Sequence, residues 1–261
     1  MRKAVLVAMA DEVPFSGIKE EIYPKLVTYY SKRGYETFFV YGRGQNASEY
    51  KVRRYIEQIR WNQFHLILRL YDFFALTVYK WKKPKCYLSG KNIYVDVPED
   101  IRHLSVKILS ALSLLEEMNF EIIIRTTVSS ILNLDVINNC LHSIKSPREI
   151  YGGRINQQVD GFIYVSGSLT IFNNKCVALL KKNLNKFDFT LIDDVAVGKL
   201  MNKLGISPSI RLSTLDIVNN EGLAQMSGIG DFAQIRCKSG VRPQDRIDSA
   251  LMRAALEMLN F

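Results

Sequence analysis

The chain lacks the residue patterns that staple a small scaffold together. Its four cysteines, Cys86, Cys140, Cys176 and Cys237, lie far apart without C-x-x-C or zinc-ligand spacing. A compact disulfide framework and a metal knuckle are thereby excluded, and a reducing cytoplasm is the expected setting. Histidine is as scarce. His65, His103 and His142 are isolated, none beside a cysteine or serine that it would serve as base, and they read as structural residues. No run approaches the roughly 18 to 20 apolar residues that span a bilayer. Met1-Arg2-Lys3 followed by Ala4 to Ala10 has the outline of a signal peptide, but Asp11-Glu12 ends the apolar run after seven residues. A buried first strand is the better reading, and no signal peptide is expected. Internal repeats, low-complexity tracts and interdomain linkers are also missing.

What remains suits a single large α/β domain: 261 residues, 48% hydrophobic and 23% charged. The net charge of +9 attracts anions, whether a nucleotide diphosphate, a nucleic acid or an acidic membrane face. Basic residues are scattered, with clusters at Lys80-Trp81-Lys82-Lys83-Pro84-Lys85 and Arg236-Cys237-Lys238. No recognition-helix pattern or basic tail accompanies them, so no nucleic-acid partner is expected.

Periodicity gives the organisation. Ala4 to Met9 predicts a buried strand. Ile18, Ile22, Leu26 and Tyr29 mark a helix that Gly34 stops, and Tyr35 to Tyr41 predicts a second strand. This βαβ opening predicts a mostly parallel central sheet flanked by helices. A helix is expected over Ser48 to Arg60. From Trp61 to Leu88 no period dominates; the aromatics there, Trp81 included, read as core packing beneath solvated lysines, with a membrane interface as the alternative. Further on, a strand at Ile93 to Val95, an amphipathic helix from Leu104 to Met118, and a buried strand at Phe120 to Ile124 follow in order. Then come a helix from about Ser130 to Ile144, a turn-rich stretch with Pro147 and Gly152-Gly153, a strand at Gly161 to Ser166, and a helix at Asn174 to Leu184. Asp193 to Leu204 carries acidic residues at its start and Gly205 after its end, which are helix start and stop signals. Arg246 to Leu259 forms a last amphipathic helix.

Alternation of this kind fits many folds, so function has to come from a site. Asp96-Val97-Pro98-Glu99-Asp100 precedes a helix containing Lys107; Arg125-Thr126-Thr127-Val128-Ser129 ends a buried strand; Tyr164-Val165-Ser166-Gly167-Ser168 precedes Leu191-Ile192-Asp193-Asp194-Val195-Ala196-Val197-Gly198 and Leu204-Gly205-Ile206. In order and spacing these segments, from about residue 93 to 250, resemble the Fringe and β-1,3-galactosyltransferase group of GT-A glycosyltransferases. The resemblance implies one Rossmann-like GT-A domain over 1–261, with a donor-nucleotide part at roughly 1–135 and an acceptor and catalytic part at roughly 136–261. It implies an inverting transfer from a UDP- or GDP-sugar to a hydroxyl of a glycan or lipid-linked acceptor; the basic and aromatic patches add peripheral membrane contact as a further expectation.

The most specific match, E/D-D-V-x-V-G, assigns the general base to Asp194. An acceptor hydroxyl is a weak nucleophile until a carboxylate takes its proton. Asp193 is expected to cap the helix beside it. Donor binding is implied for Ala8, Arg43, Asp96, Lys107, Arg125, Thr127 and Ser129. Ser166, Gly167 and Ser168 correspond to an active-site turn. The chain departs from the family where K-T-D-D-D would supply the metal-binding aspartate, because hydroxyls are poor substitutes for carboxylates around a hard cation. A divalent metal is therefore doubtful, no metal ligand is assigned, and leaving-group charge is expected to fall to Arg236, Lys238 and Arg242. A binding module that kept the fold without turnover is the alternative.

Overall fold

A computed structural model describes residues 1–9, 15–43, 74, 76–144, 149–157, 161–219, 222, 229–240 and 246–259. The helix expected over Ser48 to Arg60, most of the aromatic stretch after Trp61, and Arg242 lie outside them.

Strand β1 (Lys3–Ala8) sits at the centre because Ala4 to Val7 are fully buried on both faces, the mark of an interior parallel strand. It pairs in parallel with β2 (Tyr35–Gly42) on one side and β5 (Ile122–Thr127) on the other. Beyond β2 lie β4 (Asn92–Val95), parallel, and the edge strand β3 (Cys86–Ser89), antiparallel. Beyond β5 lie β8 (Ile163–Asn173) and β7 (Tyr151–Gln157), both antiparallel, and then β9 (Ile210–Arg211), parallel to β7. The eight strands run β3-β4-β2-β1-β5-β8-β7-β9.

Side-chain alternation divides the core in two. Val5, Val7 and Ile124 face a layer of α1 (Phe15–Glu21), α2 (Tyr23–Lys32), α4 (Leu134–His142) and α7 (Asp248–Met258). Ala4, Leu6 and Ile123 face α3 (Leu104–Glu117), α5 (Asn174–Lys182) and α6 (Asp193–Lys203). This mixed α/β sandwich is the expected fold class. Each large aliphatic side chain it buries contributes about 1.5–3 kcal/mol.

Several local expectations are corrected. The first helix is two helices, broken at Ile22 with Pro24 in the first turn of α2; Tyr30, not Tyr29, faces the core. Ser130 to Leu132 is a strand, β6, because it pairs with β11 (Gln234–Cys237), which also pairs with β10 (Thr214–Ile217) in a small second sheet. Helix α4 starts only at Leu134, where the Asn133 side chain accepts from the amides of Asp135 and Val136, a cap that contributes about 1 kcal/mol. Gly152 and Gly153 lie within β7, not in a turn. Gly153, at φ 140°, stands where β7 and β8 slip register, and a Cβ there would meet the Leu169 carbonyl oxygen at 2.1 Å. Trp81 does not pack the core; it is 76% exposed.

Candidate active site

Ser166, Gly167 and Ser168 form no turn. They lie within β8, in the stretch where the ladder passes from Val165 opposite Ile155 to Thr170 opposite Gly153. The slip leaves only Arg154 across from this bulge, which re-aims the backbone at the start of α6. There the Gly167 amide donates to Asp194 Oδ2 at 2.9 Å, and the Val195 amide donates to Oδ1 at 2.9 Å. The Asp194 carboxylate is held by backbone at both oxygens.

Asp193 does not cap the helix with its side chain. Ile192 occupies the cap, and Asp193, the first helical residue, meets Arg125 Nη2 at 2.6 Å, both side chains being buried. Burial pushes the Asp193 carboxyl up, and Arg125 pulls against it. Gly167 is required here by space, since a Cβ would lie 1.4 Å from Arg125 Nη1. Beneath the bulge Ser168 contacts Ser166 and Gln234, and Thr126 donates to the Ser168 carbonyl at 2.9 Å. Ser166, Gly167, Ser168, Asp193 and Asp194 are thus brought together, with Arg125 buried beside them.

A cavity of 360 Å³ opens beyond the carboxyl ends of β1 and β5. From β1 the sheet extends through β2 in one direction and through β5 in the other, so this is a topological switch point, where the connections diverge and leave a crevice. Ala8, Lys107, Thr127, Ser129, Arg236 and Lys238 line it. Arg43, Asp96, Arg125 and Asp194 do not. Arg43 instead lies over the Tyr94 ring at 4.1 Å, and exposed Asp96 donates its amide to the Lys85 carbonyl.

Lys107 is buried, donates to the Met9 carbonyl at 2.9 Å and pairs closely with Glu99, whose other oxygen accepts from the Gly42 amide at 2.5 Å. Burial lowers its ammonium, with Glu99 opposing. The opposite wall is cationic. Burial holds Arg236 below its ordinary value, Asp216 opposes this, and Arg154, Arg246 and Arg125 add repulsion; Lys238 is lowered by burial and by Arg236 and Arg246, with Asp248 and Asp216 opposing. Glu99, Phe15 and Arg246 also line the cavity and were missed from sequence. Arg246 donates to Ser129 Oγ at 3.0 Å, across 117 residues of chain, and pairs with Asp248.

Among the described residues no cluster of three or more His, Cys, Asp or Glu side chains could hold a metal ion. Thr127, Val128 and Ser129, at and just beyond the end of β5, offer two hydroxyls and an apolar side chain, a donor set unsuited to a hard divalent cation.

No protein-family profile and no curated sequence matches the chain. Among solved structures it is similar to a glycosyltransferase involved in glycosylation of the major capsid of PBCV-1, with a TM-score of 0.47 and 8% identity over 97% of this chain and 99% of that one. It is also similar to an active-site mutant of LgtC, at 0.47 and 11% over 98% and 96%. Mouse xyloside xylosyltransferase 1 in its apo form aligns at 0.37 and 8% over 92% and 99%. Likenesses this shallow leave the function to be argued from this chain's own residues.

Among the described residues no helix is long and apolar enough to cross a membrane.

Proposed function

We propose that the chain transfers a sugar from a nucleotide-sugar donor to a hydroxyl acceptor, with inversion and with Asp194 as general base. The observation that carries this reading is the cavity at the β1/β5 switch point, which Arg236, Lys238 and Arg246 line together with Thr127 and Ser129. Cations gathered in a partly buried cavity are best compensated by a polyanion, and a diphosphate is the polyanion that a sugar donor brings. As the glycosidic bond breaks, negative charge grows on the departing diphosphate. Arg236 and Lys238 stabilise it electrostatically, the role otherwise given to a divalent metal.

Asp194 takes the acceptor proton as the hydroxyl attacks the anomeric carbon from the face opposite the leaving group. The two backbone donors fix the carboxylate's orientation before the acceptor arrives. Asp193 and Arg125 position the helix start, and Lys107 holds Glu99 at the cavity wall. The donor site draws Arg236, Lys238 and Arg246 from the C-terminal part of the chain, so the donor and acceptor parts interleave.

A second reading, a nucleotide-sugar-binding module without turnover, is favoured by one fact: Asp194 is not among the residues lining the cavity. A thermal-shift screen of UDP- and GDP-sugars, with manganese and with EDTA, tests donor class and metal use together. Stabilisation that persists in EDTA is the expected result. Stabilisation only with manganese defeats the metal-free donor site, no shift with any nucleotide defeats the donor reading, and binding without transfer over a broad acceptor panel selects the second reading.

A further inference from the structure

Beside β3, the end strand of the large sheet among the described residues, lies a surface that the proposed transfer does not use. Phe74, Val78 and Trp81 recur at intervals of four and three residues, and they are 67%, 46% and 76% exposed, whereas Leu76 among them is buried. That spacing places the three on one side of helical turns. An apolar stripe turned outward is the reverse of what core packing produces. Lys80, Lys82, Lys83 and Lys85 interleave with it, the last three exposed. Edge strand β3 continues the surface with Tyr87 and Leu88, both exposed. Behind this lip lies a 220 Å³ cavity walled mainly by apolar side chains, among them Tyr79, Pro84, Leu109, Leu114 and Phe189, with Lys83 also lining it. Among the described residues, the acidic groups placed beside it are Asp96, whose amide donates to the Lys85 carbonyl, and Glu117, which pairs with Lys181.

We propose that this face docks peripherally on an anionic phospholipid surface. Phe74, Val78 and Trp81 enter the boundary between headgroups and acyl chains, where an indole finds both apolar and polar partners. The four lysines meet lipid phosphates and carboxylates within a Debye length of the surface. Charge decides between this occupant and a second copy of the chain. A two-fold pairing of the face with itself would set lysines against lysines on a protein of net charge +9, whereas an anionic bilayer complements both the stripe and its flanks. The proposal does not depend on the reaction proposed above.

The chain has two tryptophans, Trp61 and Trp81, so Trp61→Phe leaves Trp81 as sole reporter. The test mixes this variant with vesicles of phosphatidylcholine alone or with about 30% phosphatidylserine, an anionic surface of the kind that attracts polybasic segments. Expected are co-sedimentation and a blue-shifted Trp81 emission with the anionic vesicles only, both lost in about 0.5 M salt. K82Q/K83Q should weaken vesicle affinity about tenfold or more, each lysine near such a surface being worth about fivefold; W81A should weaken it as well. Absence of co-sedimentation overturns the proposal. So does binding indifferent to W81A and K82Q/K83Q, which places the contact on another face, and so does a blue shift that follows protein concentration without vesicles, which assigns the stripe to self-association.

Discussion

Arg125 Nη2 and Asp193 Oδ2 stand 2.6 Å apart with both side chains almost fully buried, joining the end of β5 to the first residue of α6. Among the described residues the Nε and Nη1 of Arg125 find no hydrogen-bond partner. The guanidinium therefore depends on Asp193 for its compensation. Asp193→Leu should cost about 3–5 kcal/mol in urea unfolding, because it strands a buried cation, while Arg125→Met combined with Asp193→Leu should recover a large part of that loss. Equal losses in the single and double variants would show that the pair is not coupled.

Glycine at two positions sets how closely α6 approaches the sheet. A Cβ on Gly167 would lie 1.4 Å from Arg125 Nη1, and one on Gly198 would lie 2.2 Å from Tyr164 Cβ. Gly198→Ala must push the helix from β8 and should cost about 1–3 kcal/mol. Gly167→Ala must also displace the paired guanidinium, so its loss should be the greater. Thermal or urea denaturation of both variants gives the order directly.

For Asp194 the expected pattern is the opposite: a small effect on folding and a large one on turnover. Asp194→Asn keeps an oxygen that can accept from the Gly167 or Val195 amide, yet cannot take a proton from an acceptor hydroxyl. Transfer should fall by about 10²–10⁴-fold, the usual worth of a general base, with donor affinity within about threefold of the parent. Near-parental transfer in the folded variant would remove Asp194 from the mechanism.

Sequence reasoning reached the parts of this site that are local in the chain. Asp193 and Asp194 announce themselves as acidic residues opening an amphipathic helix, and the buried runs of β1 and β5 follow from Ala4 to Val7 and Ile122 to Ile124. Contacts made across the fold were not legible. Arg125 carries a donor-binding expectation only through the resemblance, and its pairing with Asp193, 68 residues later in the chain, has no local signal. Ser130 to Leu132 has a pattern compatible with a helix until β11, a hundred residues later, supplies strand partners. Tertiary pairing overrode local preference there. Trp81 has the composition of a core residue and ends outside it because Leu76 takes the inward position.

Asp248 gives the anchor of α7 a pH dependence. Burial alone would raise its carboxyl, but Arg246, the Ser239 amide and hydroxyl, and the Ser129 hydroxyl outweigh that and hold it below its ordinary 3.8. A carboxyl depressed in the folded state contributes stability above its unfolded value, and the contribution is lost as pH falls through the folded one. Stability should therefore decline below about pH 4, and Asp248→Asn should flatten that part of the curve while lowering stability at pH 7. Urea midpoints from pH 3 to pH 7 for parent and variant, a range bracketing the ordinary carboxylate value, would expose an unchanged slope if the group does not contribute.

The cationic wall of the cavity supplies the last prediction, because repulsion among its members and attraction for a ligand pull in opposite directions. Burial lowers both groups; Asp216 opposes this at Arg236, Arg236 adds repulsion at Lys238, and Arg246 adds repulsion to both. Removing charge with R236Q/K238Q should leave the unliganded protein as stable as the parent or slightly more so, since like charges repel at short range. The same variant should lose most of the stabilisation that a nucleoside diphosphate confers on the parent. A drop in affinity of about 100-fold corresponds to about 2.7 kcal/mol of ligand stabilisation. Uridine, which carries no phosphate, separates electrostatic from base recognition: any shift it produces should be the same in parent and variant. If the variant keeps the parent's full response to UDP or GDP, the diphosphate does not lie against Arg236 and Lys238, and the cavity must then be read as a site for some other anion.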